Sequence, residues 1–144
     1  MSLVGNKILL IGGSGSLGNA FIRKHLENNK IYVYSRDECK HWTMQLQYNN
    51  HPNLNFIIGN VCNKEKIQQT VLRHNFHIII NAAAMKHIDL MEKNPIAGCH
   101  INVMGSLNVV EASIINDVQV TVGISTDKAC LAESVYGASK YLIL

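Results

Sequence analysis

No two cysteines are spaced Cys-x-x-Cys. Cys39, Cys62, Cys99 and Cys130 stand far apart, and the seven histidines form no cluster at ligand spacing. This excludes a zinc ribbon and a disulfide framework, and leaves four reduced thiols with no metal site. No apolar run approaches the ~20 residues that a membrane span needs. The run Ile8–Ile11 is too short for a signal segment and leads into glycines, not a cleavage site. The net charge is +3, and the basic residues are scattered without any Lys/Arg run. Nothing here would track a phosphate backbone, so nucleic acid is not expected as a partner. Internal repeats, linkers and low-complexity tracts are absent too. A soluble cytoplasmic protein is expected, with neither membrane nor nucleic acid among its partners.

The chain has 144 residues, 47% hydrophobic and 16% charged. That is one globular domain by length, able to bury roughly 68–70% of its unfolded surface. Short apolar runs alternate with longer amphipathic stretches. Lys7–Ile11, Ile31–Tyr34, Leu54–Ile58, His77–Asn81 and Val118–Ser125 read as five strands; Lys7–Ile11 is continuous enough to be buried on both faces, and Ile78-Ile79-Ile80 makes the fourth a buried strand. Between them lie four helices. Ser16–Asn28 carries Leu17, Ala20, Phe21 and Leu26 at helical spacing. Asp37–Tyr48 carries Trp42 and Leu46. Asn63 caps Lys64–His74, with Ile67, Val71 and Leu72 facing inward. Pro95 opens a long helix to about Asn116, with Ile101, Leu107, Val110 and Ile114 as its apolar face. A further helix starts near Ser134. Strand–helix alternation of this kind predicts an α/β, Rossmann-type doubly wound parallel sheet in the order 3-2-1-4-5.

The first turn is glycine-rich: Gly12-Gly13-Ser14-Gly15-Ser16-Leu17-Gly18. Following a strand and opening a helix, such a turn suits a pyrophosphate. One glycine tightens the turn, one admits the phosphates, and one lets helix and sheet approach. The helix N-terminus adds free N–H groups and partial positive charge. Strand two ends in Tyr34-Ser35-Arg36-Asp37. An acidic residue at its tip would favour NAD. Arg36 instead offers a planar fork for a 2′-phosphate and Ser35 a hydroxyl, which favours NADP; the bland alternative is a solvated arginine. Asn60 and Val61 follow strand three, and the amide oxygen of Asn60 can accept from an adenine amine. Ala82, Ala83 and Ala84 end strand four with side chains small enough to admit a cofactor.

Ser125-Thr126-Asp127-Lys128, then Tyr136 and Lys140, form the densest chemistry in the chain. Four residues apart on a helix, Tyr136 and Lys140 share a face. The ammonium favours tyrosinate, which can take a proton from an alcohol as a nicotinamide takes hydride. Thr126, Asp127 and Lys128 follow strand five, where ligands bind in open α/β sheets. They put an acid and a base in one place. Taken alone, Asp127-Lys128 reads as a structural ion pair.

Seven blocks carry a family resemblance: Gly12–Gly18, Tyr34-Ser35-Arg36-Asp37-Glu38, Ala82-Ala83-Ala84-Met85-Lys86-His87, Glu92-x-Asn94-Pro95, Asn102-Val103-x-Gly105-Ser106, Ser125-Thr126-Asp127-Lys128-Ala129 and Tyr136-Gly137-Ala138-Ser139-Lys140. Through them the chain resembles the extended short-chain dehydrogenase/reductases, and among these the inverting UDP-N-acetylglucosamine 4,6-dehydratases. The resemblance implies NADP as a regenerated cofactor, a UDP-sugar substrate and a homo-oligomer. It implies that Tyr136, aided by Lys140 and the Thr126 hydroxyl, removes the C4 hydroxyl proton. Lys128 would then remove the C5 proton, and Asp127 would protonate the departing C6 hydroxyl. Reprotonation at C5 from the other face would give epimerisation. Met85, Lys86 and Thr126 would meet the substrate. For Lys128 to act as a base its pKa must be lowered, and Lys86 is a candidate neighbour.

Three positions depart from the family pattern: Asn60 where an Asp is usual, Asn81 where a His is common, and Leu131-Ala132-Glu133 without the usual proline. Family members are also roughly twice as long, a nucleotide domain plus a substrate domain. Residues 1–144 are expected to be the NADP-binding Rossmann domain, with the C-terminal substrate domain outside this chain and no turnover by the chain alone. An inert dinucleotide-binding module, a C4 epimerase and an NADP-dependent alcohol dehydrogenase stand as alternatives.

Overall fold

The computed structural model describes residues 3–144. Five strands form one sheet: β1 Lys7–Ile11, β2 Lys30–Ser35, β3 Leu54–Ile58, β4 Ile78–Asn81 and β5 Val120–Gly123. All pairings are parallel and the order is β3-β2-β1-β4-β5. Seven α-helices join them. These are α1 Ser16–His25, α2 Glu38–Gln47, α3 Lys64–His74, α4 Ile88–Lys93, α5 Pro95–Cys99, α6 Gly105–Ile115 and α7 Val135–Tyr141. A 3₁₀ turn, Leu26–Asn28, extends α1, and another, Asp127–Ala129, follows β5. The expected sheet and strand order are the observed ones.

Strand β1 explains why the fold has two cores. Its side chains alternate between faces. Ile8 and Leu10 join Ile22, Met44, Val33 and Ile80 on the side of α1 and α2. Leu9 and Ile11 join Ile67, Val71, Val109 and Ala112 on the side of α3 and α6. The register Ile8–Ile31–Leu54 and Ile8–Ile78–Val120 keeps like faces aligned across the sheet.

Four helix faces differ from expectation. Leu17 and Ala20 are exposed, while Phe21 and Leu26 pack against the core as expected, together with Gly18 and Ile22. Trp42 is 66% exposed and Leu46 also faces out; α2 buries His41 and Met44. Leu72 is exposed while Ile67 and Val71 are fully buried. On α6, Leu107, Val110 and Ile114 face outward, and Asn108, Val109, Ala112 and Ser113 face the core. The reason is common to α1 and α6: small or compact side chains let a helix lie close to the sheet, and bulkier apolar stripes turn away.

The long helix expected from Pro95 is continuous but not uniformly α. Pro95 stands in its first turn, and residues His100–Met104 between α5 and α6 form a π-turn. Such a turn holds one residue more than an α-helical turn. Here the π-turn carries Asn102, which is fully buried.

Gly18 packs α1 against the glycine turn that follows β1. A Cβ there would overlap the carbonyl oxygen of Gly13. Gly18→Ala must therefore push α1 off that turn, and should cost about 3 kcal/mol or more in urea unfolding. Gly123→Ala, where a Cβ meets open space, should change stability by less than about 1 kcal/mol.

Candidate functional site

The parallel order brings the C-terminal ends of all five strands to one edge. The turn after β1 opens with Gly12 at φ +74°, a conformation that suits glycine. Its N–H donates to Tyr34 O at 2.8 Å. A Cβ on Gly12 would come within 2.7 Å of Ala83 N, so this turn and the end of β4 lie too close for any side chain between them. Gly15 caps α1 with extended backbone and no side-chain acceptor. The N–H groups of Ser16, Leu17 and Gly18 thus lack intrahelical partners. The first turn of α1 holds no acidic residue, so an anion meets no like charge there.

A cleft of about 390 Å³ opens beside this turn. Gly12, Ser14, Gly15, Ser35, Arg36, Asn60, Val61, Ala82, Ala83, Ala84 and Lys86 line it, with Lys40, Asp37, Gly59 and Ile101. Ser16, Leu17 and Gly18 are not part of its wall. A turn with no room for a side chain, free helix N–H groups and a basic far end fit a dinucleotide.

At that far end, Asp37 caps α2 by accepting from Lys40 N at 2.9 Å. This bond holds its carboxyl below the usual range, with help from the Lys40 ammonium 3.4 Å away. Ser14 Oγ donates to Ser35 Oγ at 3.2 Å, and Ser35 Oγ lies 2.7 Å from His41 Nε2. Tyr34 is fully buried and its hydroxyl donates to Asn60 O at 3.1 Å. Burial pushes its phenol up to about 12. The Asn60 amide oxygen accepts from Cys62 N at 3.0 Å, so one of its two lone pairs is already used.

The other end of the edge is built around Asn102. Its Oδ1 accepts from Met85 N at 2.8 Å, and its Nδ2 donates to Met85 O and to Ser139 Oγ at 3.1 and 2.9 Å. One side chain thus ties the loop after β4 to α7. Helix α7 is held at its start by Ser134 Oγ, which accepts from Gly137 N at 3.0 Å, and by Glu92 Oε1, which accepts from Val135 N at 2.7 Å. Asn81 is buried, accepting from Ala83 N and donating to Ser106 Oγ.

Lys140 is 4% exposed, and its Nζ donates to Ile124 O at 2.9 Å. Burial pushes its ammonium below the ordinary lysine range. Tyr136 is half-buried on the same helix. The Thr126 hydroxyl donates to Asp127 Oδ1 at 2.9 Å, and Lys128 Nζ lies 3.9 Å from Asp127 Oδ2. Thr126 first, then Lys128, hold the Asp127 carboxyl below its usual range. Two expectations meet a different geometry. Thr126 serves Asp127 and not Tyr136, and Lys128 is half exposed beside the Asp127 carboxylate. Thr126, Asp127, Lys128, Tyr136, Lys140 and Met85 stand outside the cleft wall, at the adjoining ends of β4 and β5.

Sequence reasoning did not single out Lys40, His41 or the clamp made by Asn102 and Glu92. Asn102 and Glu92 stood inside recognised blocks without a role; a polar residue in the apolar run Ile101–Met104 was the available signal. Among the described residues no group of three His, Cys, Asp or Glu converges, and no helix is long and apolar enough to cross a membrane.

The family model described as polysaccharide biosynthesis protein matches residues 8–143. An inverting UDP-N-acetylglucosamine 4,6-dehydratase of Campylobacter jejuni is 40% identical over 139 residues, 94% of this chain and 41% of that protein. A UDP-glucose 4-epimerase of Rickettsia canadensis is 35% identical over 146 residues, 97% of this chain and 42% of the epimerase. The chain therefore spans about two-fifths of the length of the curated relatives it matches. Among solved structures, Pen from Bacillus thuringiensis superimposes with a TM-score of 0.93 at 28% identity, covering 99% of this chain and 44% of that one. The chain belongs to the polysaccharide biosynthesis protein family, and with it to the extended short-chain dehydrogenase/reductases that its sequence blocks resemble.

Proposed function

We propose that this chain is the NADP-binding part of a nucleotide-sugar 4,6-dehydratase. Its substrate is UDP-N-acetylglucosamine, and the lobe that grips the uridine nucleotide lies outside these residues. The observation that carries the reading is the cluster at the end of β5. Thr126, Asp127 and Lys128 stand beside the helix of Tyr136 and Lys140. The relative with 40% identity, named for that reaction, supports it.

When bound, the nicotinamide cofactor accepts a hydride from the sugar and later returns it. Gly12, Ser14 and Gly15 would hold its pyrophosphate at the N-terminal end of α1, and Ser35 and Arg36 its 2′-phosphate. Asn60, Val61, Ala82, Ala83 and Ala84 flank its nucleoside. Tyr136 removes the C4 hydroxyl proton while the Lys140 ammonium stabilises the phenolate. A 4-keto group acidifies the C5 proton, which Lys128 removes. The C6 hydroxyl then leaves as water with a proton from Asp127. In the resting geometry Asp127 is a carboxylate held by Thr126 and Lys128. As substrate excludes water, a proton passed from the Lys128 ammonium to the Asp127 carboxylate makes Lys128 a neutral base and Asp127 an acid. Met85, Lys86 and Thr126 line the sugar side. The site serves a homo-oligomeric cytoplasmic enzyme.

The Rickettsia relatives favour a second reading, a C4 epimerase. An epimerase needs Tyr136 and Lys140 but no base at C5. The products separate the two. The natural protein at its own length, given UDP-N-acetylglucosamine, should form a 4-keto-6-deoxy sugar nucleotide with no net NADPH. A C4 epimer alone would identify the epimerase, and accumulating NADPH a simple dehydrogenase. Cofactor binding without any product would mark an inert module.

In deuterated water, Lys128→Ala should slow C5 exchange by about 100- to 10,000-fold. Undiminished exchange would remove Lys128 from the role of base. Arg36→Ala should weaken NADPH about 10- to 100-fold by titration and leave NADH within about threefold, because only the 2′-phosphate loses a charged partner.

A further inference from the structure

Ser35 makes more hydrogen bonds than a cleft-lining hydroxyl needs. It accepts from Ser14 and lies 2.7 Å from His41 Nε2. His41 is only 4% exposed, and its ring lies against Phe56 with centroids 5.1 Å apart. Its Nδ1 is buried with no hydrogen-bond partner among the described residues. An orphaned polar atom in the core carries a desolvation penalty that Leu or Met would avoid. The imidazole therefore calls for a reason beyond filling space.

The orphan decides the tautomer. A proton on Nδ1 would be a buried N–H with no acceptor, the rarer and costlier case. A bare Nδ1 lone pair costs less. The single proton thus sits on Nε2 and is donated to Ser35 Oγ. Burial also opposes a second proton, holding His41 below the ordinary histidine range against the pull of the Asp37 carboxylate.

Ser35 Oγ then has both lone pairs occupied, one by His41 and one by Ser14. With Ser14 turned as its donor, its own proton has no acceptor among the described residues. Ser35 shares its stretch of cleft wall with Ser14, Arg36 and Lys40, so that proton is left for whatever occupies the cleft. The hydroxyl can give a hydrogen bond there and can no longer accept one.

We propose that His41 is a positioning residue for cofactor selection: it makes Ser35 a donor-only hydroxyl for an acceptor-only group, the 2′-phosphate of the adenosine ribose. An ionised phosphate oxygen only accepts, so the match is complete. A ribose hydroxyl also needs an acceptor for its own proton, and Ser35 has none to offer. This rests on the reading of the cleft as an NADP site, and adds to it a residue that never touches the cofactor.

The test is to titrate NADPH and NADH separately into the full chain as wild type, His41→Leu, His41→Gln and Arg36→Ala. His41→Leu should weaken NADPH roughly tenfold and NADH less than about twofold. His41→Gln keeps a side-chain N–H donor and should recover most of the lost NADPH affinity. Retained NADH binding reports an intact site, and His41→Met replaces His41→Leu if the latter does not fold. Wild-type NADPH affinity in both apolar variants would overturn the inference. So would equal loss of both cofactors without recovery in His41→Gln. In either case the NADP reading survives if Arg36→Ala still loses NADPH selectively. If the wild-type chain binds NADH as tightly as NADPH, the NADP reading falls and this inference with it.

Discussion

Strand β1 has water on neither face, and its neighbours β2 and β4 pair with it along nearly its whole length. A strand in that position must satisfy every backbone group through its two neighbours and every side chain through two separate cores. Parallel pairing meets the first demand and helices on both faces meet the second. Once β1 is placed this way, all strands point in one direction. Their connections must then return over the faces, and the loops that leave the strands gather at one edge. The glycine turn, the cleft and the cluster at the end of β5 share that edge for this reason.

Within the edge, rigidity comes from polar groups that water cannot reach. Asn102 is buried and fully bonded, which makes its partners depend on one another: Met85 in the loop after β4, and Ser139 in α7. Buried networks of this kind hold a geometry well only when every member is satisfied. Lys140 follows the same logic. Its buried ammonium is tethered to Ile124 O, so the helix that carries it is fixed to the end of β5. Thr126, Asp127 and Lys128 stand in contrast: they bond among themselves, and Asp127 and Lys128 are open to solvent.

The strands were legible because doubly buried strands need continuous apolar runs, and Lys7–Ile11 or Ile78–Ile80 have no competing explanation. Helix positions followed from the spaces between them and from caps such as Asn63. Helix faces were not legible. Helix α6 is apolar on more than one side, so Leu107, Val110 and Ile114 offered a stripe as convincing as the true one through Val109 and Ala112. On α2 the visible pair Trp42 and Leu46 concealed His41, whose meaning depends on a contact with Ser35 in another element. The place of Arg36 on the cleft wall was readable because its offset from the end of β2 is set by the strand itself. The partner of the Thr126 hydroxyl was not, since both Asp127 and Tyr136 lie within plausible reach and only coordinates choose between them.

The π-turn at His100–Met104 gives the helical segment from Pro95 to Ile115 one place where its length can change. Each residue of an α-helix advances the direction of its side chains by about 100°. Deleting a residue from the α-helical part before Val109 would swing Val109 and Ala112 out of the core by that angle. Deleting one inside the turn would instead restore ordinary helical bonding there and leave α6 facing as it does now, because the turn already holds one residue more than an α turn.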